Sequence, residues 1–177
     1  MNTIFTRASV RRFLPRQVEA DQLIRLVRAG MAAPTAGDQR PWEFYVDTDP
    51  ESIARLSQAT PYARAAKGAP AVIIPCYRTN VWAPSCCVLD LSAATENILL
   101  EAASLGLGAV WMGVAPQEGF MKAVGEILQL PEDVHPFALI PCGYPAEPPK
   151  PRDKFDPERI HWIRAGNESA LRRMSAS

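Results

Sequence analysis

Residues 86–105 read CCVLDLSAATENILLEAASL, and this stretch says more about the fold than any other part of the chain. Its apolar residues recur at helical spacing and form two stripes. The first stripe contains Val88, Leu91, Thr95, Ile98, Leu99, Ala102 and Leu105, and the second contains Leu89, Ala93, Leu100 and Ala103. A helix that is apolar on most sides is buried on most sides. The pattern therefore predicts either a central helix or a helix packed against a second subunit.

Further elements are predicted on both sides of this helix, and proline and glycine mark many of their ends. Helices are expected over 19–32, from Asp49-Pro50 to about Gln58, and after Pro116; strands are expected over 42–47, 71–74, 109–114 and 136–142. Helices and strands alternate without an internal repeat or a linker. We expect a single domain over 1–177.

Composition and charge exclude several classes of protein. Hydrophobic residues make up 47% of the 177 residues and charged residues 21%, which is typical of a folded globular chain. Nineteen basic residues balance nineteen acidic ones, so no overall field attracts nucleic acid or an anionic membrane. No apolar run is long enough to cross a bilayer, and Met1–Phe13 lacks the apolar core of a signal peptide. We expect a soluble, cytoplasmic protein.

The C-terminal part of the sequence, residues 144–177, differs in character from the rest. Four prolines occur within residues 145–151, which favours an extended and fairly stiff segment. Apolar side chains follow at Phe155, Ile160, Trp162 and Ile163. This arm either docks on its own core or wraps around a partner subunit.

Two clusters of basic residues are candidates for binding an anion. Arg7, Ser9 and Arg11 share one side of an extended chain, because side chains alternate along a strand. Lys150 and Arg152 repeat the same spacing in the arm. Guanidinium groups flanking a hydroxyl suit a phosphate. The alternative is a solvated basic surface.

No common catalytic motif or metal site is visible. The chain has no GxGxxG, Walker A or GxSxG motif, and a structural role is expected for His135 and His161. Four cysteines, Cys76, Cys86, Cys87 and Cys142, lack CxxC spacing, so they are expected to be free thiols, with a redox role as the alternative. With neither a nucleophile nor a metal, the chemistry would come from an organic cofactor.

Five blocks of sequence resemble the nitroreductase family of FMN-dependent oxidoreductases. They are RASVRRF at 7–13, AAPTAGDQRPW at 32–42, DLSAATENILL at 90–100, GLGAVWMG at 106–113, and GYPAEPPKPR at 143–152 with HW at 161–162. The blocks occur in the family's order and span nearly the whole chain. The resemblance implies an α+β three-layer sandwich, with a mixed, mostly antiparallel sheet flanked by helices. It also implies a homodimer that holds FMN at the subunit interface, with the arm on the partner.

Carried over by position, the resemblance implies a set of FMN-binding residues: Arg7, Ala8, Ser9, Arg11, Pro34, Thr35, Asp38, Met112, Gly113, Lys150 and Arg152. The arginines and Lys150 would contact the phosphate or the ribityl chain, with Arg11 as a candidate nearer the ring. Pro34 and Thr35 would shape the rim of the ring from the other subunit. Met112 and Gly113 would lie along the flavin, and core packing is the alternative for Met112.

Two positions in this comparison are ambiguous. Asp38 stands where the family usually has Asn, so it would either accept from the pyrimidine N3–H or pair with Arg40. Trp82 would either cap the substrate face or lie in an ordinary surface loop.

The function that the resemblance implies is hydride transfer from NAD(P)H through FMN to an acceptor such as a nitroaromatic or a quinone. The two half-reactions would alternate in a ping-pong scheme, and no side chain would act as catalytic acid or base. The alternatives are an FMN-dependent dehydrogenase or dehalogenase of the same fold, and a non-catalytic FMN-binding protein.

Overall fold

The computed structural model describes residues 3–161. Its helices are α1 (Thr3–Thr6), α2 (Ala20–Met31), α3 (Pro50–Leu56), α4 (Cys87–Ser104) and α5 (Glu118–Leu128). Its strands are β1 (Trp42–Asp47), β2 (Ala71–Arg78), β3 (Gly108–Ala109), β4 (Met112–Gly113), β5 (Val134–Pro136) and β6 (Ala138–Gly143). Short 3₁₀ turns lie at Ala36–Asp38, Ala63–Ala66, Pro84–Cys86 and Pro157–Arg159. Within residues 3–161, no helix is long and apolar enough to cross a membrane.

The strands form a sheet in which β1, β2, β6 and β3 are successive neighbours, while β5 pairs with β2 and β4 with β6. All of these pairings are antiparallel, and a parallel bridge joins Ser9 to Ala109. The expected mostly antiparallel sheet is confirmed.

Helices cover both faces of the sheet. On β2, Val72 and Ile74 face the core shared with α3 and α5, whereas Ala71 and Ile73 face the core shared with α2 and α4. Alternation along one strand thus supplies two hydrophobic cores. The α+β three-layer architecture implied by the resemblance is confirmed.

Helix α4 is the central element that its two stripes predict. Leu91, Thr95, Ile98 and Ala102 of the first stripe are buried, Ile98 and Ala102 in the core shared with α2 and Leu91 against β6. The second stripe is only partly covered, and its Leu89 is 67% exposed. The chain's own fold therefore accounts for one face of α4, while the other face remains available for contact.

Strand β2 extends through Pro75, although the sequence prediction ends it at residue 74. The Pro75 carbonyl accepts from the Phe137 N–H at 2.9 Å, in the gap between β5 and β6. In an antiparallel strand, the N–H and C=O of one residue point to the same side. The N–H that proline lacks would therefore point into this gap, so its absence removes no hydrogen bond between β1 and β2.

Two predicted strands are each divided in two. The expected strand over 109–114 becomes β3 and β4, because its partner β6 contains Pro141, which has no N–H to donate. The expected strand over 136–142 becomes β5 and β6, which both pair with β2 but in registers that differ by one residue on either side of Phe137. The helix expected from Pro116 begins two residues later, at Glu118.

Candidate functional site

The N-terminal segment 7–11 lies along strand β3. Val10 donates its N–H to the Ala109 carbonyl at 3.0 Å, and its side chain is buried. Gly108 makes this approach possible, because a Cβ there would lie 2.6 Å from the Val10 side chain. With Val10 turned inward, Ser9 and Arg11 are exposed on the opposite side, as strand alternation predicts.

A cavity of about 1030 Å³ lies between this segment and the arm. Six of the residues that the sequence predicts to bind the cofactor line it: Arg7, Ala8, Ser9, Arg11, Lys150 and Arg152. Two basic clusters separated by nearly the whole length of the chain therefore meet at one site. The structure thus brings together the residues assigned to the phosphate end of FMN.

The charge of this cavity is strongly positive. Its lining contains six cationic side chains and two acidic ones. Arg12 pairs with Glu147, and Arg7, whose side chain is 18% exposed, lies 3.3 Å from Glu96 of α4. The other four cations, Arg11, Lys150, Arg152 and Lys154, have no ion-pair partner within residues 3–161. Unpaired cations around one cavity, together with the Ser9 hydroxyl, provide the donors that a phosphate needs.

Within the part of the arm that the structure describes, the hydrogen bonds to the body of the protein lie at its start. Leu14 donates its N–H to the Tyr144 carbonyl, and Ala146 donates to the Arg12 carbonyl. Beyond this point the described residues are almost all exposed, and Phe155 remains 49% exposed although it lines the cavity. The predicted anchors Trp162 and Ile163 lie outside the described residues.

The loop of residues 34–40 has an unusual backbone. Gly37, Asp38 and Arg40 all have positive φ angles, of 53°, 57° and 46°. Asp38 and Arg40 are exposed and form a two-pronged ion pair, in which Arg40 Nε lies 2.7 Å from Asp38 Oδ1. This hydrogen bond lowers the pKa of the Asp38 carboxyl below its usual value. Of the two alternatives for Asp38, the structure shows the pairing with Arg40.

The same loop is fastened to residues 82–90 by hydrogen bonds that the sequence did not predict. Gln39 Nε2 donates to Asp90 Oδ2 at 2.7 Å and to the Ala83 carbonyl at 3.1 Å. The Ala83 N–H donates to Gln39 Oε1 at 3.0 Å, and the Ala36 N–H donates to Asp90 Oδ1 at 2.9 Å. The one signal in the sequence is Asp90, an acidic residue beside the first apolar stripe of α4.

Trp82 covers the outer side of this loop. A Cβ placed on Gly37 would lie 2.5 Å from the indole ring, so the ring rests directly on the glycine. Trp82 is nevertheless 72% exposed. It is thus a surface tryptophan that is held against the loop, and its predicted contact with substrate remains a prediction.

The other predicted cofactor residues lie outside the cavity. Pro34, Thr35, Asp38, Met112 and Gly113 are absent from its lining. The Met112 side chain is buried in the core beneath α3 and α5, which is the packing alternative left open by the sequence. Gly113 is exposed on β4, and a Cβ there would meet open space. The roles of these five residues in binding remain predictions.

Three of the four cysteines are buried, and His135 packs against an aromatic ring. Burial raises the pKa of both the Cys76 and the Cys142 thiol to about 12, so neither is a thiolate at neutral pH. The four cysteines are free thiols, and Cys87 is also buried. The His135 ring lies against Tyr77, with 5.4 Å between the ring centroids. Within residues 3–161, no group of acidic residues, histidines and cysteines could hold a metal ion.

Comparison with known proteins links this architecture to one family. The model of the Nitroreductase family matches residues 4–79 and 57–144. A curated protein of Methanothermobacter thermautotrophicus named "Putative NADH dehydrogenase/NAD(P)H nitroreductase" is 43% identical over 162 residues, covering 91% of this chain and 85% of that protein.

Solved structures agree with this match. The crystal structure of a protein of the same name from Parabacteroides distasonis has a TM-score of 0.87 and 40% identity, covering 91% of this chain and 95% of that one. The structure of an FMN-dependent nitroreductase from Clostridium difficile has a TM-score of 0.85 and 27% identity, covering 92% and 98%. The chain belongs to the nitroreductase family.

Proposed function

We propose that this protein is a homodimeric, FMN-dependent NAD(P)H oxidoreductase that reduces nitroaromatic, quinone or similar acceptors. The observation that carries this proposal is the cavity in which Arg11, Lys150, Arg152 and Lys154 have no ion-pair partner within residues 3–161. Four such cations repel one another unless an anion joins them. The names of the related NAD(P)H nitroreductase and FMN-dependent nitroreductase support FMN as this anion.

The residues of the cavity fit the phosphate end of FMN. Arg11 and Arg152 would hold the phosphate by charge-assisted hydrogen bonds, with Ser9 and Lys150 as further donors. Arg7 would contribute from a position fixed by Glu96. When bound, FMN would supply the hydride chemistry between NAD(P)H and the acceptor, while the protein supplies binding and orientation.

A second subunit would complete the site. Pro34, Thr35 and Asp38 do not line the cavity of their own chain, so a partner is needed for them to reach the flavin ring. Several large apolar side chains are exposed on α1, α4 and the arm: Ile4, Phe5, Leu89 and Phe155. Burying such residues is the main gain in forming a stable dimer. The arm would wrap the partner and place Phe155 and Ile160 against it.

Titration and reduction test this proposal. Purified protein stripped of flavin should bind about one FMN per chain, as measured by quenching of flavin fluorescence. NADH or NADPH, added separately without oxygen, should bleach the visible flavin band, and a quinone or nitroaromatic should restore it. Double-reciprocal plots of initial velocity against NAD(P)H concentration, measured at several fixed acceptor concentrations, should give parallel lines if the order is ping-pong. Absence of FMN binding would contradict the proposal. If the protein binds FMN but neither NADH nor NADPH reduces the bound flavin, it would be a non-catalytic flavoprotein.

A further inference from the structure

The Gln39 side chain joins two segments through three hydrogen bonds. Its amide nitrogen donates both hydrogens, to Asp90 Oδ2 and to the Ala83 carbonyl, and its oxygen accepts from the Ala83 N–H. The bonds measure 2.7, 3.1 and 3.0 Å. Because both hydrogens of the amide and its oxygen have partners, the bonds define which way the amide points. Gln39 is therefore a fixed bridge between the loop 34–40 and the residues that precede α4.

Asp90 completes the bridge from the start of α4. Its residue is 5% exposed, and its two oxygens accept from the Ala36 N–H and from Gln39. No cationic side chain within residues 3–161 pairs with it. Its place in the first turn of α4 favours a negative charge, because the N-terminal end of a helix carries a partial positive charge. A buried carboxylate that is used only to hold a loop has a positioning role.

The loop needs this support because of its backbone. Asp38 and Arg40 have positive φ angles, which are costly for residues other than glycine. Such a conformation persists only when surrounding contacts determine it. The loop also carries Trp82 on the face of Gly37. The bridge therefore fixes a strained loop and an exposed indole ring in one arrangement.

We propose that Gln39 and Asp90 are positioning residues, which hold the loop 34–40 and the Trp82 segment together as one preformed wall of the flavin site. This inference rests on the proposed function, because it is FMN and the acceptor that would meet the wall. A wall that is already ordered saves the entropy of ordering it when the ligand binds. Loss of either side chain should therefore weaken ligand binding without removing any direct contact.

Exchanging the two groups provides the test. In Asp90→Asn, the new NH2 group faces either the Ala36 N–H or the Gln39 NH2 group. Since both of these are donors, one hydrogen bond is lost. In Gln39→Glu, two carboxylates face each other. In the double variant, the new amide at 90 can donate to the new carboxylate at 39, which restores that bond, whereas the bond from residue 39 to the Ala83 carbonyl stays lost. Gln39→Ala serves as a second variant, since it removes the bridge without adding a charge.

Hydrogen exchange followed by mass spectrometry measures how well the backbone amides of the loop are protected, with or without bound flavin. Each single variant should raise exchange in the peptide covering 34–40 about tenfold, with little change in β2 or β6, and the double variant should partly reverse it. The FMN Kd and the acceptor KM should rise several-fold in the single variants and less in the double variant. The value of kcat should change less. Thr95→Val, five residues after Asp90 on the buried face of α4, is the matched control; its hydroxyl has no hydrogen-bond partner within residues 3–161, so the loop should be unchanged.

Three results would overturn the inference. One is unchanged exchange at 34–40, and another is an equal rise throughout the sheet, which would show general destabilisation. The third is a loosened loop with unaltered FMN Kd and acceptor KM, which would remove the positioning role while leaving the proposed function intact. If the wild-type protein does not bind FMN, both the proposed function and the role of the bridge in ligand binding are wrong. The exchange data would then still decide whether Gln39 and Asp90 hold the loop 34–40 to residues 82–90.

Discussion

The cavity and the loop 34–40 use polar groups in opposite ways. In the cavity, Arg11 and Arg152 project from exposed segments and have no ion-pair partner within residues 3–161. In the loop, Gln39 and Asp90 satisfy each other and the nearby backbone. Several unpaired cations around one cavity favour an anionic ligand there, whereas a closed network indicates a part that is already in place. The cavity would bind the phosphate of FMN, and the loop would provide a preformed surface for the flavin ring.

Removal of the arm tests the binding region most severely. Truncation after Pro149 deletes Lys150, Arg152 and Phe155 together, so it removes two of the proposed phosphate contacts and an exposed apolar side chain. We expect a loss of FMN affinity of more than about a hundredfold and dissociation of the dimer. Flavin titration and analytical ultracentrifugation measure these two effects. A truncated protein that stays dimeric and holds its flavin would show that the arm is dispensable.

Substitution of a single arginine has the next largest expected effect. Arg11→Ala should remove a charge-assisted hydrogen bond worth about 1.5–3 kcal/mol, which weakens FMN binding about ten- to a hundredfold. Because Arg11 has no ion-pair partner within residues 3–161, its removal leaves no carboxylate unpaired there. Arg55→Ala, an exposed residue of α3 away from the cavity, is the control for loss of one positive charge. Equal affinities for the two variants would place the phosphate elsewhere.

Gly108→Ala tests whether the strand pairing beneath the cavity matters for binding. The added methyl group would lie 2.6 Å from Val10 and would push segment 7–11 away from β3. Overpacking of this kind should cost about 1–3 kcal/mol of unfolding free energy, and FMN affinity should fall with it. Denaturant unfolding and flavin titration provide the measurements. The double variant Val10→Ala/Gly108→Ala should recover part of both losses, and the absence of any recovery would contradict the steric explanation.

Asp38→Asn should have the smallest effect. If the Asp38 carboxylate lies near the flavin, it opposes the negative charge of the reduced cofactor and lowers the potential. Its pairing with Arg40 cancels part of this charge, so we expect Asp38→Asn to raise the midpoint potential by at most about 30 mV. Potentiometric titration of the bound flavin would measure the shift. An unchanged or lower potential in a variant that keeps its FMN would place Asp38 away from the ring.

Local patterns predicted most of the secondary structure because they depend on neighbours along the chain. The strand expected at 42–47 and the helices expected at 19–32 and 86–105 all form, within one residue at each end. Errors arose where a distant residue intervened. Pro75 continues β2 because its missing hydrogen faces a gap between two other strands, and Pro141 divides a strand that precedes it by almost thirty residues.

The candidate site was predictable in part. Arg7, Ser9 and Arg11 were identified from their spacing, and the structure brings them together with Lys150 and Arg152. The bridge of Gln39 and Asp90 was not predicted, because glutamine and aspartate occur in many unrelated settings. Their partnership depends on two segments about fifty residues apart, and nothing in either segment identifies the other.

By itself, the sequence determined the two stripes of α4, the outward side of segment 7–11 and the basic character of the arm, because helical and strand periodicity follow directly from residue order. The tertiary structure decided which charges would be satisfied. It paired Arg7 with Glu96 and Asp38 with Arg40, and it left Arg11 and Arg152 around a shared cavity without an ion-pair partner in the described part of the chain. Electrostatic energy depends on distance in space rather than on separation along the chain, so the availability of each charge for a ligand was settled only by folding.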